Sequence, residues 1–462
     1  MTSLVNIVLF AWFPVVLMLF AILRPRHAVI TAYIAGWLFL PFAGFDLPGL
    51  PAFTKITATS YAVLVGALLF DSDRVLRFRP RWIDLPMILW CLVPLATSVT
   101  NDLGVYDGLA GVAGKTITWG LPFFIGRLYF GDLIGLRELA IGIVIGGLVY
   151  VPLCLYEIRM SPQLHRMFYG YHVRGWSGMR FGGYRPSVFL DTGLALGIWM
   201  TVASLMGVWL WRTKSLLSIR GVPMSLLVSV LLMTTILCKS TGALILLFVG
   251  IAVLMMTKWT RSPILLACLV AAPILFIGLR STGRWSGDVL VELSGYISEE
   301  RARSLQSRLE NDDILAEKAW RRPIFGWGTW GRNRVYDDQG RDMSTTDGLW
   351  IIAFGHNGIV GLAALYTTLL LPAVLLLRRV PARQWATPAI APAAALAVIV
   401  VLFAIDCLFN AMFNPIFLAA AGGLAGLVHM RPYTRRISPS SPSPWVTSLG
   451  RIPPHRVPFN DA

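Results

Sequence analysis

The sequence consists largely of long apolar stretches separated by short polar segments. A helix that crosses a bilayer needs about 20 apolar residues, because all of its backbone groups must be satisfied within the segment. With 56% hydrophobic and 14% charged residues, the chain has more apolar surface than a water-soluble core can bury. We therefore predict an all-α polytopic membrane protein with about 12–13 transmembrane helices. The predicted spans are 4–23, 28–45, 56–70, 83–100, 108–126, 138–156, 187–210, 223–238, 241–257, 262–280, 350–377, 386–408 and 411–430.

Lys and Arg are concentrated in alternate connections between these spans. Short cytoplasmic connections collect Lys and Arg, so the pattern predicts that the N-terminus is outside and the C-terminus is cytoplasmic. The net charge is +16, but it is divided among short clusters and does not form one basic domain. This distribution predicts contact with the bilayer and its anionic headgroups, and no nucleic-acid partner. The basic connections contain Arg24 and Arg26; Arg74, Arg77, Arg79 and Arg81; Arg127 and Arg137; Arg212, Lys214 and Arg220; Lys258 and Arg261; and Arg378, Arg379 and Arg383.

The five cysteines all lie in apolar stretches, so neither a disulfide framework nor a metal site is predicted from them. The first apolar stretch lacks a basic leader and a small-residue cleavage site, so we interpret it as the first helix. The chain then divides into spans 1–10 at 1–280, with an outer loop at 157–186; a large extracytoplasmic loop at 281–346; spans 11–13 at 347–430; and a basic cytoplasmic tail at 431–462. The tail is rich in Pro, Ser and Arg and is predicted to be disordered.

The outer loop at 157–186 breaks the charge rule. Its arginines alternate with aromatic side chains, and arginine binds phosphate through two parallel hydrogen bonds while aromatic faces stack on sugars. This loop therefore suits an anionic, sugar-bearing lipid. The alternative is that the arginines anchor the loop to headgroups and the aromatic residues form an interfacial belt. His172 and Trp176 are candidate contacts to a sugar or an acceptor. The arginines are Arg159, Arg166, Arg174, Arg180 and Arg185.

The loop at 281–346 contains an amphipathic segment from Glu299 to Trp320, which predicts a helix on the membrane surface. Pro323 should end this helix, and the following FGWGTWG predicts a tight, glycine-rich turn, in which Trp327 is another candidate sugar or acceptor contact. Arg308 lies on the polar side of the predicted helix. The alternative for Arg308 is a solvated charge or a local pair with an acid of the same helix.

Two groups of polar residues interrupt the apolar spans. Lys115 lies in an otherwise apolar helix, and an ionisable group there usually lines a cavity or meets a polar partner; snorkelling to the interface is the alternative. Asp406, Asn410 and Asn414 are spaced as a polar stripe on one helical face, which interhelical hydrogen bonds would explain. His356 interrupts a later span and is a fourth candidate contact to a sugar or an acceptor, although a lone histidine there is more often structural.

The order of these features resembles the O-antigen ligase and polysaccharide polymerase superfamily of bacterial envelope proteins. The resemblance covers residues 115–430. Its clearest part is an arginine, a tryptophan-containing helix, a P-x-x-G-x-G turn and a polar motif that leads into a helix with G-x-x-G. These are SRLENDDILAEKAWRRPIFGWGTWG (307–331) and TTDGLWIIAFGHNGIVGL (345–362), with weaker echoes in FFIGRLYF (123–130), YRPSVFLDTGLALG (184–197) and KSTGA (239–243).

The resemblance implies a metal-independent, inverting glycosyltransferase without a cofactor, with the architecture of lipid-donor glycosyltransferases. It implies a location in the bacterial cytoplasmic (inner) membrane and an undecaprenyl diphosphate glycan as donor. The acceptor would be another lipid-linked glycan, lipid A core or a protein hydroxyl. Arg308 and Arg185 match the family's arginine positions and would bind the donor diphosphate. Lys115 and Arg180 are further candidates on charge and predicted side alone.

Asp347 and Gly348 stand where ligases of this superfamily usually show His-Asn. This departure favours a cell-surface or exopolysaccharide polymerase over an O-antigen or other glycan ligase. Transfer from a diphosphate needs cations for the leaving group and a base at the acceptor hydroxyl. Asp347 is the candidate base, and the alternative is that its side chain only caps the following helix.

A function of another class stays open at this point. In a transporter or flippase of an anionic lipid or solute, Lys115, Asp191 and Asp406 would be pathway residues. A scaffold role is a third possibility, but five arginines on the translocated side are an unusual burden for one. A chain-length regulator or a flippase is a possible partner of the helices.

Overall fold

The computed structural model shows a chain that is mostly α-helical. It describes residues 3–46, 51–173, 179–180, 182–296 and 298–427. Trp176 and the tail at 431–462 lie outside the described residues, so the predictions made for them stay predictions.

The first ten α-helices carry all of the predicted spans up to residue 212. They are α1 (Ser3–Ile22), α2 (Pro25–Phe39), α3 (Lys55–Phe70), α4 (Ser72–Leu76), α5 (Leu85–Thr100), α6 (Val105–Lys115), α7 (Leu121–Tyr129), α8 (Leu133–Met160), α9 (Leu164–Tyr169) and α10 (Gly193–Arg212).

The remaining eight helices include the amphipathic α15 of the large loop. They are α11 (Met224–Leu237), α12 (Thr241–Thr260), α13 (Ile264–Ser281), α14 (Asp288–Gly295), α15 (Glu299–Trp320), α16 (Leu349–Arg379), α17 (Ala391–Asp406) and α18 (Pro415–Gly426). Three antiparallel two-stranded pairs lie in connections. They are β1 (Gly44–Phe45) with β2 (Phe53–Thr54), β3 (Met179–Arg180) with β4 (Gly183–Tyr184), and β5 (Ser218–Ile219) with β6 (Val222–Pro223).

Seven helices in the described part of the chain are long and apolar enough to cross a membrane, which fits a membrane protein. Another four helices are apolar but have fewer than 18 residues, and the count of 12–13 spans stays a prediction. The seven are Leu4–Ile22, Trp82–Thr100, Leu133–Met160, Gly193–Arg212, Thr241–Thr260, Ile264–Ser281 and Leu349–Arg379; the shorter four are Lys55–Phe70, Met224–Leu237, Ala391–Asp406 and Pro415–Gly426.

The long apolar helices differ in how far protein surrounds them. Within the most apolar 18-residue window, 89% of the residues are buried in α10, against 22% in α1 and 28% in α13. A helix that is apolar on all sides must be covered by protein or by lipid. Thus α10 lies at the centre of the bundle, while α1 and α13 leave most of their apolar surface for lipid.

Contacts between connections define two ends of the bundle. At one end, which we call the arginine-rich end, Arg26 pairs with Asp132 and Arg137 donates to the Ser215 carbonyl at 3.3 Å. At the other, which we call the loop end, the segments at 157–192, 281–348 and 407–414 meet. The predicted topology, including the side of the membrane that each end faces, stays a prediction.

Three breaks in helical geometry lie near polar residues. A π-helical turn, Thr116–Gly120, separates α6 from α7 directly after Lys115. Helix α16 is broken at Gly358, which has φ 63° and ψ −164°. The predicted stripe of Asp406, Asn410 and Asn414 on one helix is wrong: α17 ends at Asp406, residues 407–414 are not helical, and the side chain of Asn414 caps α18.

Candidate functional site

Arg185 lies at the loop end, against the first turn of α10. A Cβ atom at Gly193 would lie 2.8 Å from Nε of Arg185, so the glycine makes room for the guanidinium. One Nη of Arg185 donates to Oγ of Ser240 at 3.0 Å, and Ser240 in turn packs closely on Gly197 of α10. Two glycines one helical turn apart therefore seat this arginine and its hydroxyl partner.

Arg180 and Arg301 approach each other from different loops. Arg180 ends β3, and Arg301 lies in the first turn of α15, where the side chain of Ser298 caps the helix by accepting from the Arg301 amide. An Nη of Arg301 donates to Oγ1 of Thr241 at 3.3 Å. The two arginines line a common cavity of about 190 Å³ together with Met179, Gly182, Ser298 and Glu300.

The pKa values of Arg185 and Arg301 are lowered in part by the positive charges of nearby arginines. Burial, followed by the positive charges of Arg180 and Arg301, lowers the pKa of Arg185 to about 10. Burial lowers the pKa of Arg301 as well, with Arg180 as the next cause and Arg308 as a smaller one. We call these four residues, Arg180, Arg185, Arg301 and Arg308, the arginine cluster. Arg185 remains cationic at neutral pH, since its pKa stays well above 7.

Two nitrogen atoms of the arginine cluster have no hydrogen-bond partner among the residues that the structure describes. They are Nε of Arg185 and one Nη of Arg180, and both atoms are buried among the described residues. A buried charged donor without an acceptor costs free energy, because it has lost its water and gained nothing in exchange. An anion in this site would accept from both donors and offset the mutual repulsion of the cluster.

Arg308 connects the cluster to the candidate base. Its Nε lies 3.7 Å from a carboxylate oxygen of Asp347, and one Nη donates to the Phe409 carbonyl at 2.8 Å and to Oδ1 of Asn410 at 3.1 Å. The alternative of a pair within its own helix is therefore wrong, because its partners lie in distant segments.

Asp347 does not cap α16. The capping position belongs to Gly348, which provides no side-chain hydrogen bond, so the alternative role predicted for Asp347 is wrong. A Cβ atom at Gly348 would lie 2.5 Å from the Leu408 carbonyl oxygen, so this glycine permits a close approach to the segment 407–414. The Asp347 side chain is 36% exposed and lies beside Arg308.

Lys115 lies in a different cavity. Its ammonium group is 3.3 Å from the centre of the Trp90 ring and donates to Oδ1 of Asn357, so it has polar and aromatic partners instead of snorkelling to an interface. The cavity has a volume of about 360 Å³, and no member of the arginine cluster lines it. The structure therefore separates Lys115 from Arg180, Arg185 and Arg308, with which the sequence prediction grouped it.

The glycine-rich turn after α15 docks on the break in α16. The amides of Trp327 and Gly328 donate to the carbonyls of Gly355 and His356 at 2.8 and 3.0 Å, and the amide of Ile359 donates to the Pro323 carbonyl at 2.7 Å. A broken helix leaves such groups without partners, and the turn satisfies them.

Of the predicted sugar or acceptor contacts that the structure describes, none lines the cavity between Arg180 and Arg301. The indole nitrogen of Trp327 donates to the Lys318 carbonyl at 2.9 Å, and Arg322 lies 4.7 Å from its ring centre, so Trp327 supports the turn. His356 lies in the broken stretch of α16 and His172 is exposed. Trp176 lies outside the described residues.

Sequence reasoning missed three residues of these sites: Arg301, Ser240 and Asn357. Arg301 had a usable signal, because it precedes Arg308 by seven residues and therefore lies on the same face of α15. Ser240 belongs to the KSTGA motif, but nothing in the sequence joins it to Arg185. The partnership of Asn357 with Lys115 is likewise a product of the tertiary fold.

Metal ligands are not clustered in the described part of the chain, where no group of three or more His, Cys, Asp or Glu side chains converges. No family model matches the sequence, and no curated protein matches it. The resemblance to the O-antigen ligase and polysaccharide polymerase superfamily therefore rests on the order of the motifs.

Proposed function

We propose that this chain is a membrane glycosyltransferase that takes a glycan from a polyprenyl diphosphate donor and acts as a polysaccharide polymerase. The observation that carries the proposal is the arginine cluster, with its two unsatisfied buried donors. Planar guanidiniums suit a diphosphate because each one donates two parallel hydrogen bonds to phosphate oxygens. Four guanidiniums match an anion with several negative charges better than they match a single carboxylate.

The cluster would act on the leaving group. When the acceptor oxygen attacks the anomeric carbon, the bond to the diphosphate oxygen breaks and negative charge grows on the departing diphosphate. Preorganised cations in a site with little water stabilise that charge without a metal. Arg185 and Arg308 donate hydrogen bonds to neutral acceptors, the Ser240 hydroxyl and the Phe409 carbonyl. A phosphate oxygen of the donor would replace these acceptors.

Asp347 would accept the proton of the attacking hydroxyl. Its carboxylate lies 3.7 Å from Nε of Arg308, so an acceptor held at Asp347 would be adjacent to a diphosphate held by the cluster. Attack from the side opposite the leaving group inverts the anomeric centre. Proton transfer to a positioned base of this kind contributes about 10²–10⁴-fold to the rate.

The proposal places the loop end at the outer face of the bacterial inner membrane, with the N-terminus outside and the C-terminus cytoplasmic. Both loops that supply the arginines belong to the set of connections that the charge rule assigns to the outside. Asp347 in place of a His-Asn pair favours a polymerase, whose acceptor is a second lipid-linked glycan, over a ligase.

The test compares arginines on the same helix. Arg308→Ala should lower glycan transfer by about 10²–10³-fold, the usual cost of removing a charge-stabilising donor. Arg303→Ala is the matched control, because Arg303 is exposed and pairs only with Glu299 four residues earlier. Transfer is measured with purified protein and a lipid-linked donor, and as glycan length in cells that lack the native chain.

Normal long-chain glycan from both Arg308→Ala and Arg185→Ala, at wild-type protein levels, would contradict the proposal. The form of the defect separates the two acceptor classes. Loss of a polymerase leaves single repeat units on their acceptor, whereas loss of a ligase leaves long glycan on the lipid carrier.

A further inference from the structure

We propose that the Lys115 cavity is a second binding site, for a sugar that bears one carboxylate, such as a uronic acid residue of a glycan. The cavity has a volume of about 360 Å³, within the usual range of about 300–1,000 Å³ for small-molecule sites. It is defined by Pro51, Ala52, Thr54, Thr57, Pro94, Thr97, Ser98, Leu103, Asp107, Gly111, Gly114, Lys115, Thr118, Gly328, Thr329 and Asn357.

The ammonium of Lys115 has no carboxylate partner in the described part of the chain. Its contacts are the face of Trp90 and the amide oxygen of Asn357. Asp107 is the only acid that lines the cavity, and it pairs with Arg332 at 3.8 Å. A ligand carboxylate would therefore be the first anionic partner of Lys115 among the described residues, and it would favour the charged ammonium.

The hydroxyl groups of the cavity favour a sugar over a simple anion. Thr97, Ser98 and Thr118 each donate their proton to a backbone carbonyl, at distances of 2.6–3.1 Å. Oγ1 of Thr97 already accepts from Nδ2 of Asn357 at 3.1 Å, whereas the oxygens of Ser98 and Thr118 keep lone pairs that can accept from the O–H donors of a sugar. On α6, the position that a Cβ atom would take at Gly114 has no atom within 4 Å, so this side of the cavity is open to a ligand.

The charge of the site distinguishes it from the arginine cluster. A lysine ammonium is a compact point charge, whereas several planar guanidiniums suit a diphosphate. A single lysine that faces hydroxyl oxygens matches a monoanion surrounded by hydroxyl groups. The inference rests on the proposed function only for the identity of the ligand as part of a glycan, and its test involves no transfer reaction.

The test measures binding of methyl glucuronide and of methyl glucoside to the purified full-length protein by saturation-transfer NMR and calorimetry. The two probes differ only in the carboxylate. We expect the glucuronide to bind at least about 10-fold more tightly than the glucoside, because its carboxylate forms a charge-assisted hydrogen bond with Lys115. Lys115→Met should reduce that preference to within about twofold.

Lys318→Met is the matched control. Its ammonium also lies over an indole, 5.3 Å from the centre of the Trp327 ring, but it does not line the cavity. This variant should keep the preference. If Lys115→Met fails to fold, Asn357→Asp serves instead. The new carboxylate would pair with the Lys115 ammonium and abolish the preference for the glucuronide while the fold is kept.

Three results would overturn the inference. The first is an unchanged preference in Lys115→Met or in a folded Asn357→Asp variant. The second is equal binding of the two probes by the wild-type protein. The third is displacement of the glucuronide by inorganic phosphate at a similar concentration, which would make the cavity a phosphate site. Since Arg308→Ala tests transfer and leaves this cavity intact, the two proposals fail independently.

Discussion

Arg127 and Arg185, which lie at different ends of the bundle, have opposite surroundings. At the arginine-rich end, Arg127 is buried and donates to the Asp84 carboxylate at 2.8 Å, where Asp84 is fully buried and also accepts from the Arg81 amide. At the loop end, Arg185 donates to a neutral hydroxyl, and one of its buried nitrogens has no partner in the described part of the chain. This difference indicates that a high density of positive charge does not by itself identify an anion-binding site. An arginine whose charge is compensated within the protein stabilises the fold, whereas one that lacks an anion is available to bind one.

The sharpest test of this contrast is the same substitution at both ends. Arg127→Met leaves the Asp84 carboxylate buried without its cation, which should lower the free energy of unfolding by about 3–5 kcal/mol. Arg185→Met removes an uncompensated charge and should change it by less than about 1 kcal/mol, or raise it. Thermal unfolding in detergent measures both. Equal decreases in the free energy of unfolding in Arg127→Met and Arg185→Met would contradict this difference between the two arginines.

A second test uses an acid at the loop end. Burial raises the pKa of Asp312 to about 7, although the charge of Arg280 acts against this shift. Because the pKa is higher in the folded than in the unfolded state, the aspartate favours folding at low pH, and this contribution is lost as the pH rises from about 4 to 7. Asp312→Asn should therefore gain about 1–3 kcal/mol in free energy of unfolding relative to the wild type between pH 4 and pH 8, when the two proteins are compared at the same pH.

The measurement is the pH dependence of unfolding between pH 4 and pH 8 for the wild type and for Asp312→Asn. Asp313→Asn is the control, since Asp313 is half exposed and pairs with Arg280. A wild-type profile that matches that of Asp312→Asn across the range would show that Asp312 titrates as an ordinary surface acid.

The smallest expected effect is that of replacing Ser240, the hydrogen-bond partner of Arg185. Ser240→Ala removes the hydroxyl that orients one Nη of Arg185 while keeping the charge. The hydroxyl orients Arg185 without supplying its charge, so donor KM should rise about 2–10-fold with little change in kcat. Steady-state kinetics over a range of donor concentrations separates the two constants. A large loss of kcat instead would mean that Ser240 itself touches the reacting atoms.

The sequence predicted local elements better than it predicted partners. The amphipathic period and Pro323 fixed helix α15 at Glu299–Trp320, and the structure confirms both bounds. The three residues that Arg308 meets, Asp347, Phe409 and Asn410, lie 39 to 102 positions away in other segments, and no local pattern joins them. The charge of each residue could be read from the sequence, whereas its partners depend on tertiary packing.

The one wrong helical pattern had a local explanation. A stripe through Asn410 and Asn414 required α17 to continue, but a proline at position 415 disfavours helical geometry at the residue before it and suits the first turn of a new helix. Asn414 accordingly caps α18 by accepting from the Ile416 amide at 2.9 Å. The resulting non-helical segment provides the Phe409 carbonyl that Arg308 contacts.

The most direct test of the central claim is an electron cryomicroscopy structure of the protein in lipid nanodiscs with undecaprenyl diphosphate. The account predicts diphosphate density among Arg180, Arg185, Arg301 and Arg308, within hydrogen-bond distance of the two nitrogens that now lack partners. It also predicts that this density is lost in Arg185→Ala and kept in Arg303→Ala. Diphosphate density in the Lys115 cavity, with the arginine cluster empty, would contradict the account.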